Sequence, residues 1–188
     1  YNMVIGAGTL HGVGHAMAQA KDADRDPAGG LGASVIFHGD GAISEGDVNE
    51  AYVFAAAYQA PAVFLCVNNQ WAISEPVTRQ SRVPLYQRAW GFGIPCVRVD
   101  GNDVLAVEVV TRWALSRAHS GEGPTLVEAN TYRIGAHTTS DDPTKYRTQA
   151  DTQPWAQRDP ISRVQNWLRA RGAWDDARQA GLDQQLEA

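Results

Sequence analysis

Short apolar runs separated by helix-like segments form the dominant pattern along this chain. The runs are partly β-branched, which favours buried strands, and the segments between them are long enough for a helix. Strands that alternate with helices predict a parallel sheet covered by helices on both faces, a three-layer α/β fold. The predicted strands are Met3–Ile5, Ser34–Phe37, Ala62–Val67, Cys96–Val99 and Thr125–Val127.

Capping residues indicate where two of the intervening helices begin. Ser44, with Asp47 three residues later, resembles a capping box and predicts a helix near residues 45–59. Asn102 or Asp103 predicts the start of a second helix, because either side chain can accept hydrogen bonds from the first free amides.

The last part of the chain contains a helix and a long segment without a period. Asp159 followed by Pro160 predicts a helix start. Residues 131–155 are rich in Thr, Asp and charge, which predicts a long loop, and such loops in compact domains are usually functional or disordered. We expect residues 1–155 to form an α/β domain and residues 156–188 a C-terminal helical extension of it.

Composition excludes several classes of protein. The chain has 188 residues, of which 44% are hydrophobic and 20% charged, as in one globular domain with a real core. A net charge of -5 without a Lys or Arg cluster argues against a nucleic-acid partner. Without a run of roughly 18 apolar residues or a signal-peptide pattern, we expect no membrane partner and a cytoplasmic location. Cys66 and Cys96 lie in apolar runs, which predicts buried, reduced thiols.

Two neighbouring strands end in polar or glycine-rich residues. Gly39-Asp40-Gly41 follows one strand and Asn68-Asn69 the next, with a helix between them. The right-handed βαβ crossover brings both carboxyl ends to one edge of the sheet, where open α/β sheets bind ligands. A carboxylate, an amide oxygen and a backbone carbonyl are hard ligands suited to Mg²⁺ or Ca²⁺. Each turn alone is most often an ordinary turn, but together they predict a site for a cation and a diphosphate, aided by the N-terminus of the helix after Asp40.

These motifs carry a resemblance to a known family. GDG followed by NN at this spacing resembles the thiamine-diphosphate motif of thiamine-dependent enzymes. The wider segments NNQWAIS, GIPCVRVDGND, TYRIGAHTTSDDPTKYR and DPISRVQNWL are similar to the α subunit of the first component of 2-oxo acid dehydrogenase complexes, of the pyruvate or branched-chain type. The resemblance covers residues 1–176 and corresponds to the C-terminal half or so of the longer family members.

The resemblance implies thiamine diphosphate and Mg²⁺ as cofactors, and it implies roles by position. Asp40, Asn69 and the carbonyl of Trp71 match the metal ligands. Ile73 matches the apolar side chain that keeps the cofactor bent, and His137 matches the active-site histidine beside the diphosphate. The remaining matches are Gly39, Gly41 and Ala42 for the diphosphate, Met3 and Ile5 for the aminopyrimidine, and Arg133 for anchoring the loop of the histidine.

The resemblance further implies an activity and partners. The reaction is oxidative decarboxylation of a 2-oxo acid, with transfer of the acyl group to a lipoyl domain of a partner acyltransferase in a multienzyme complex. The carboxylate that activates the aminopyrimidine belongs, in this family, to the β subunit of an α2β2 assembly.

Three alternatives stay open at the level of sequence. Gly6, Gly8 and Gly12 form a variant dinucleotide fingerprint, which would suit a nicotinamide enzyme, but the acidic residue expected about 20 residues later is missing. We interpret these glycines as sites of close helix–sheet packing. The second alternative is a non-catalytic binding or assembly module. The third is another thiamine enzyme, such as a transketolase.

Overall fold

A parallel sheet forms the centre of the protein in a computed structural model that describes residues 4–187, without the side chain of Glu187. Its four strands lie in the order β1-β2-β6-β5, and all three pairings are parallel, which confirms the predicted α/β class. A two-residue antiparallel ladder joins β3 to β4. The strands are β1 (Ser34–Gly39), β2 (Ala62–Asn68), β3 (Trp71–Ala72), β4 (Glu75–Pro76), β5 (Cys96–Asp100) and β6 (Thr125–Asn130).

Seven α-helices are described, and no helix among residues 4–187 is long and apolar enough to cross a membrane. The predicted caps of two helices are confirmed: Asp103 accepts hydrogen bonds from the first amides of α4, and Asp159 does so at the start of α6. The helices are α1 (Ala7–Arg25), α2 (Gly46–Ala57), α3 (Val77–Gln80), α4 (Val104–His119), α5 (Gln149–Ala156), α6 (Pro160–Ala170) and α7 (Asp176–Glu187).

Apolar clusters fill both faces of the sheet. Helices α1 and α2 cover one face, where Tyr52 and Phe64 are completely buried, and α4 covers the other, where it packs on Val63 and Leu65. Strand β2 sends successive side chains to opposite faces, so both faces of this strand are apolar and its sequence is a continuous apolar run. Both cysteines are free thiols, as predicted, and Cys66 is buried, but Cys96 is only half-buried, where the sequence predicted a buried thiol.

Two predictions about element starts are wrong. Val4 and Ile5 form no strand, because the chain turns there into α1: the Ala7 N–H donates to the Val4 carbonyl. Ser44 does not cap α2, because a 3-10 turn intervenes and Glu45 occupies the N-cap position, without a side-chain hydrogen bond. Met3, which also belongs to the predicted first strand and is a predicted site residue, lies outside the described residues.

The predicted loop at residues 131–155 is shorter than expected, because its end forms α5. The carboxylate of Asp151 accepts a hydrogen bond from the Thr148 N–H at 2.8 Å, which starts this helix. Helix α5 has no buried residue, so no apolar stripe reveals it in the sequence. Local capping therefore specifies this helix rather than burial.

Helix α6 is held against the end of β5 by one arginine. The guanidinium of Arg163 lies 2.8 Å from a carboxylate oxygen of Asp100 and 2.9 Å from one of Asp103. These partners connect the segment after residue 155 to the sheet, and the division into a domain at 1–155 and an extension at 156–188 stays a prediction.

Candidate functional site

A cleft of about 580 Å³ opens at the carboxyl ends of β1 and β2. Its walls come from the turn after β1, the β3–β4 hairpin, the start of α1 and the loop after β6. Most of the predicted site residues line it, although they come from four separate segments: Ile5, Gly39, Asp40, Gly41, Ala42, Asn69, Trp71, Ile73 and His137. Met3 lies outside the described residues, and Arg133 does not line the cleft but donates hydrogen bonds to the carbonyls of Trp71 and Ile73 in the hairpin.

Asp40 provides a buried carboxylate in this cleft, with only 2% of its surface exposed. Burial raises the pKa of this carboxyl group, and hydrogen bonds from its own N–H, from Gln80 and from the Asn69 N–H offset only part of that effect. The bond from Gln80 Nε2 is long, at 3.4 Å. Because the charged form is poorly compensated, a bound cation would stabilise it.

Two further oxygen atoms belong to residues that line the same cleft. The side-chain oxygen of Asn69 accepts a hydrogen bond from the Trp71 N–H at 3.1 Å, and the Trp71 carbonyl accepts one from Arg133 Nη1 at 3.2 Å. Each of these oxygens has a second lone pair that stays available. Residues 4–187 contain no cluster of three or more His, Cys, Asp or Glu side chains suited to a metal. Besides the single carboxylate of Asp40, a cation here would therefore rely on amide and carbonyl oxygens and on oxygens of a bound ligand.

Ile73 has a strained backbone at the rim of the cleft. Its φ is +56°, a left-handed conformation that β-branched residues rarely adopt, and its side chain is 56% exposed. Arg133 Nη2 holds the Ile73 carbonyl at 2.6 Å. Strain of this kind persists only where neighbouring contacts enforce it, and it concentrates at functional sites.

The two glycines around Asp40 have different roles. A Cβ atom on Gly41 would lie 2.8 Å from the Cβ of Ala72, so the close approach of the β3–β4 hairpin requires a glycine there. A Cβ on Gly39 would meet nothing within 4 Å. Gly39 therefore leaves open space in the cleft, where a ligand can approach the backbone.

The N-terminus of α1 also faces the cleft. The sequence predicts this role for the N-terminus of the helix after Asp40. Gly6, in a left-handed conformation with φ +86°, occupies the N-cap position of α1 without a side-chain cap, and Gly6, Gly8 and Thr9 line the cleft. Uncapped helix N-termini favour anions. The packing interpretation holds for Gly12, where a Cβ would lie 2.6 Å from Ile36, but not for Gly8, which has open space around it.

A hydrogen-bonded network holds the loop that carries His137. The Asp141 carboxylate accepts from the His137 N–H at 2.8 Å and from the Tyr146 hydroxyl at 2.5 Å, and these bonds lower the pKa of Asp141. Arg147, only 7% exposed, donates to the carbonyls of Arg133, Ile134 and Gly135. The backbone position of His137 is thus determined by a buried arginine and one carboxylate.

Sequence reasoning missed several residues of this site. Thr9, Phe37, Glu45 and Ala72 line the cleft. Their proximity results from the crossing of distant segments, and no spacing in the sequence reports it. The one available signal was alternation along β1, which places Phe37 on an exposed position between two buried ones.

The fold and the cleft define a parallel α/β protein with an oxygen-rich ligand site at the carboxyl edge of its sheet. The family model described as dehydrogenase E1 component matches residues 1–188, and the chain belongs to this family. The resemblance predicted from the motifs is thereby confirmed.

Similar proteins carry the names of α subunits. The chain is 51% identical over 185 residues to the 3-methyl-2-oxobutanoate dehydrogenase subunit alpha of Mycobacterium tuberculosis (strain ATCC 25618 / H37Rv), covering 98% of this chain and 48% of the relative. It is 45% identical over 152 residues to the pyruvate dehydrogenase E1 component subunit alpha of Acholeplasma laidlawii, covering 80% and 44%. The protein of that name in Staphylococcus aureus (strain Mu50 / ATCC 700699) is 40% identical over 188 residues, covering 99% and 49%. The chain thus spans about half the length of the curated relatives it matches.

Proposed function

We propose that this chain is part of the α subunit of a thiamine-diphosphate-dependent 2-oxo acid dehydrogenase. The protein would decarboxylate a 2-oxo acid oxidatively and transfer the acyl group to a lipoyl group of a partner acyltransferase. The observation that carries the proposal is the convergence of Asp40, Asn69, Ile73 and His137 in one cleft, in a member of the E1 component family.

The cleft fits the diphosphate and its cation. Asp40, Asn69 and the Trp71 carbonyl would bind Mg²⁺ as hard oxygen ligands, and Mg²⁺ commonly completes its coordination with water and phosphate oxygens. The open space beside Gly39 leaves room for a diphosphate, and the uncapped start of α1 offers free backbone amides to an anion. The buried Asp40 carboxylate supports the cation, because its charge is poorly compensated otherwise.

The rest of the cleft fits the ring system. Bound thiamine diphosphate supplies a nucleophilic carbon and an electron sink for decarboxylation. Ile73 and Ile5 offer apolar surface within the cleft, and Arg133 holds the strained backbone that projects Ile73. His137 lines the cleft, and its ring would hold or move a proton next to a bound diphosphate, while Asp141 fixes its backbone.

We further propose that the activity belongs to an α2β2 assembly within a multienzyme complex, located in the cytoplasm. The β subunit would provide the carboxylate that activates the cofactor, and a lipoyl domain would accept the acyl group. The names of the relatives support pyruvate or 3-methyl-2-oxobutanoate as the substrate. Steady-state rates of the assembly with these two acids would distinguish them. The nicotinamide alternative has less support, because no strand precedes the glycines at Val4 and Ile5.

The metal assignment can be tested with two matched carboxylates. Asp40 and Asp100 each stand at the carboxyl end of a strand, but Asp100 pairs with Arg163 outside the cleft. The protein to test is the full-length α subunit assembled with its β subunit. We expect Asp40→Asn to weaken Mg²⁺-dependent thiamine diphosphate binding by at least about 10–100-fold, because losing a residue that only hydrogen-bonds to a metal ligand already costs that much. Asp100→Asn should leave binding unchanged. Calorimetry that found the same affinity in Asp40→Asn as in the wild type would reject the site.

A further inference from the structure

His38 is a buried polar residue directly before the Gly39-Asp40 turn. It is 8% exposed and forms part of the wall of the cleft. Its Nε2 lies 2.9 Å from the hydroxyl of Tyr52, and its Nδ1 lies 3.1 Å from the carbonyl oxygen of Gly39. The proposed function assigns no role to this pair.

The partners determine the direction of both hydrogen bonds. The Gly39 carbonyl can only accept, so His38 Nδ1 carries the proton. In the tautomer that carries its proton on Nδ1, the other ring nitrogen is an acceptor, so Nε2 accepts from the Tyr52 hydroxyl at 2.9 Å. Tyr52 remains a donor because burial raises the pKa of its hydroxyl, and edge contacts with Phe64 and Phe92 fix its ring. The order of donation is therefore from Tyr52 to His38 and from His38 to Gly39.

This chain of bonds ends at the peptide unit that orients Asp40. The described residues contain no cis peptide bond, so the Gly39 carbonyl and the Asp40 N–H point in opposite directions. The same peptide sets the φ of Asp40, which is -61°, and with it the direction in which the side chain leaves the backbone. A rotation of the peptide would thus break the bond from His38 and turn the Asp40 carboxylate.

We infer that His38 is a positioning residue, which together with Tyr52 fixes the Gly39–Asp40 peptide so that the Asp40 carboxylate is held in the cleft. The inference rests on the proposed function, since the ligand of that carboxylate is taken to be the Mg²⁺ of a bound diphosphate. His38 acts through its Nδ1–H donor and does not need to touch the cofactor.

Three variants of the assembled, full-length protein separate this role from simple packing. His38→Phe removes the donor and leaves the Tyr52 hydroxyl unpartnered. His38→Asn keeps a side-chain N–H near the Nδ1 position. The double variant His38→Phe/Tyr52→Phe replaces both polar partners by apolar rings, a change that can be nearly neutral for stability.

The expected order of affinities differs from the expected order of stabilities. We expect His38→Phe and the double variant to bind thiamine diphosphate with Mg²⁺ more weakly than the wild type, by a factor of about 10 or more. Losing a residue that supports a metal ligand through a hydrogen bond typically has an effect of this size. The KM for the cofactor should rise while kcat at saturation changes little. His38→Asn should recover most of the affinity, even though its melting temperature without cofactor should be lower than that of the double variant.

Each other result rejects a defined part of the inference. If the double variant binds as tightly as the wild type, or if affinity simply follows melting temperature across the set, the positioning role is wrong. If His38→Asn binds as weakly as His38→Phe, the donor at Nδ1 is not the reason. If the wild-type assembly itself fails to bind thiamine diphosphate, the proposed function is wrong, and this failure is distinct from the others.

Discussion

Replacing Ile73 with glycine tests whether strain is stored at the rim of the cleft. Ile73 has φ +56°, and glycine adopts this conformation without a steric penalty. The substitution removes the strain and removes a side chain that is 56% exposed. The hairpin can keep its shape, because Arg133 binds the backbone carbonyl rather than the side chain.

The expected effect on stability follows from three contributions. Releasing the left-handed strain stabilises the protein by about 1–2 kcal/mol. Losing the buried part of the side chain, somewhat under half, costs about 0.7–1.3 kcal/mol. The greater freedom of glycine in the unfolded chain costs a further ~0.5–1 kcal/mol. The sum lies within about 1 kcal/mol of zero, whereas isoleucine-to-glycine changes normally destabilise.

Ile134 is the matched control, because it is 50% exposed and does not have a positive φ. Ile134→Gly should cost about 1–2.5 kcal/mol, since burial and unfolded-state entropy are lost without any release of strain. Urea denaturation of the cofactor-free assembly, at one protein concentration, measures both variants. Equal losses in the two would refute the strain. Thiamine diphosphate binding should weaken in Ile73→Gly, since the apolar surface facing the cofactor is gone.

Further predictions concern the loop of His137 and the assembly. Arg147→Lys should cost about 1–3 kcal/mol and speed hydrogen exchange across residues 134–146, because the single ammonium group of a lysine cannot reproduce the guanidinium hydrogen bonds to three carbonyls. The pKa of Asp141 is lowered in the folded protein, so the stabilisation that this carboxylate provides is fully present above its ordinary pKa of about 3.9 and is lost as the pH falls through the lowered value. Exchange protection of the His137 amide should therefore not fall between pH 8 and 5. Protection of 134–146 should rise when thiamine diphosphate and Mg²⁺ are added; equal protection would mean the loop is already fixed. The full-length α subunit without its β subunit should not decarboxylate 2-oxo acids, and rates matching the assembly would disprove the need for a partner.

Local pattern in the sequence was sufficient for the sheet and for one pair of site residues. Apolar runs predict the four strands because a parallel strand buried on both faces has to be apolar throughout, as β2 is. The position of Asp40 and Asn69 at one edge follows from the parallel pairing of β1 with β2, because two parallel strands joined by a helix end at the same edge of the sheet. The caps at Asp103 and Asp159 are likewise local, since a cap depends on residues within one turn.

Resemblance to the family extended this prediction to Ile73, Arg133 and His137, which no periodicity identifies. The structure brings Ile73 and His137 into the cleft and gives Arg133 contacts with the backbone of the hairpin. Their roles toward a cofactor stay predictions, and the cytoplasmic location also stays one.

Tertiary contacts alone decided the remaining features of the site. Three of these features depend on contacts between separate segments of the chain. They are the left-handed backbone of Ile73, the approach of α1 to the cleft, and the pair of His38 with Tyr52. The three carbonyls bound by Arg147 form a further case. Propensity and periodicity describe only neighbours within a few residues, whereas these features arise when separate segments pack and each constrains the backbone of the other.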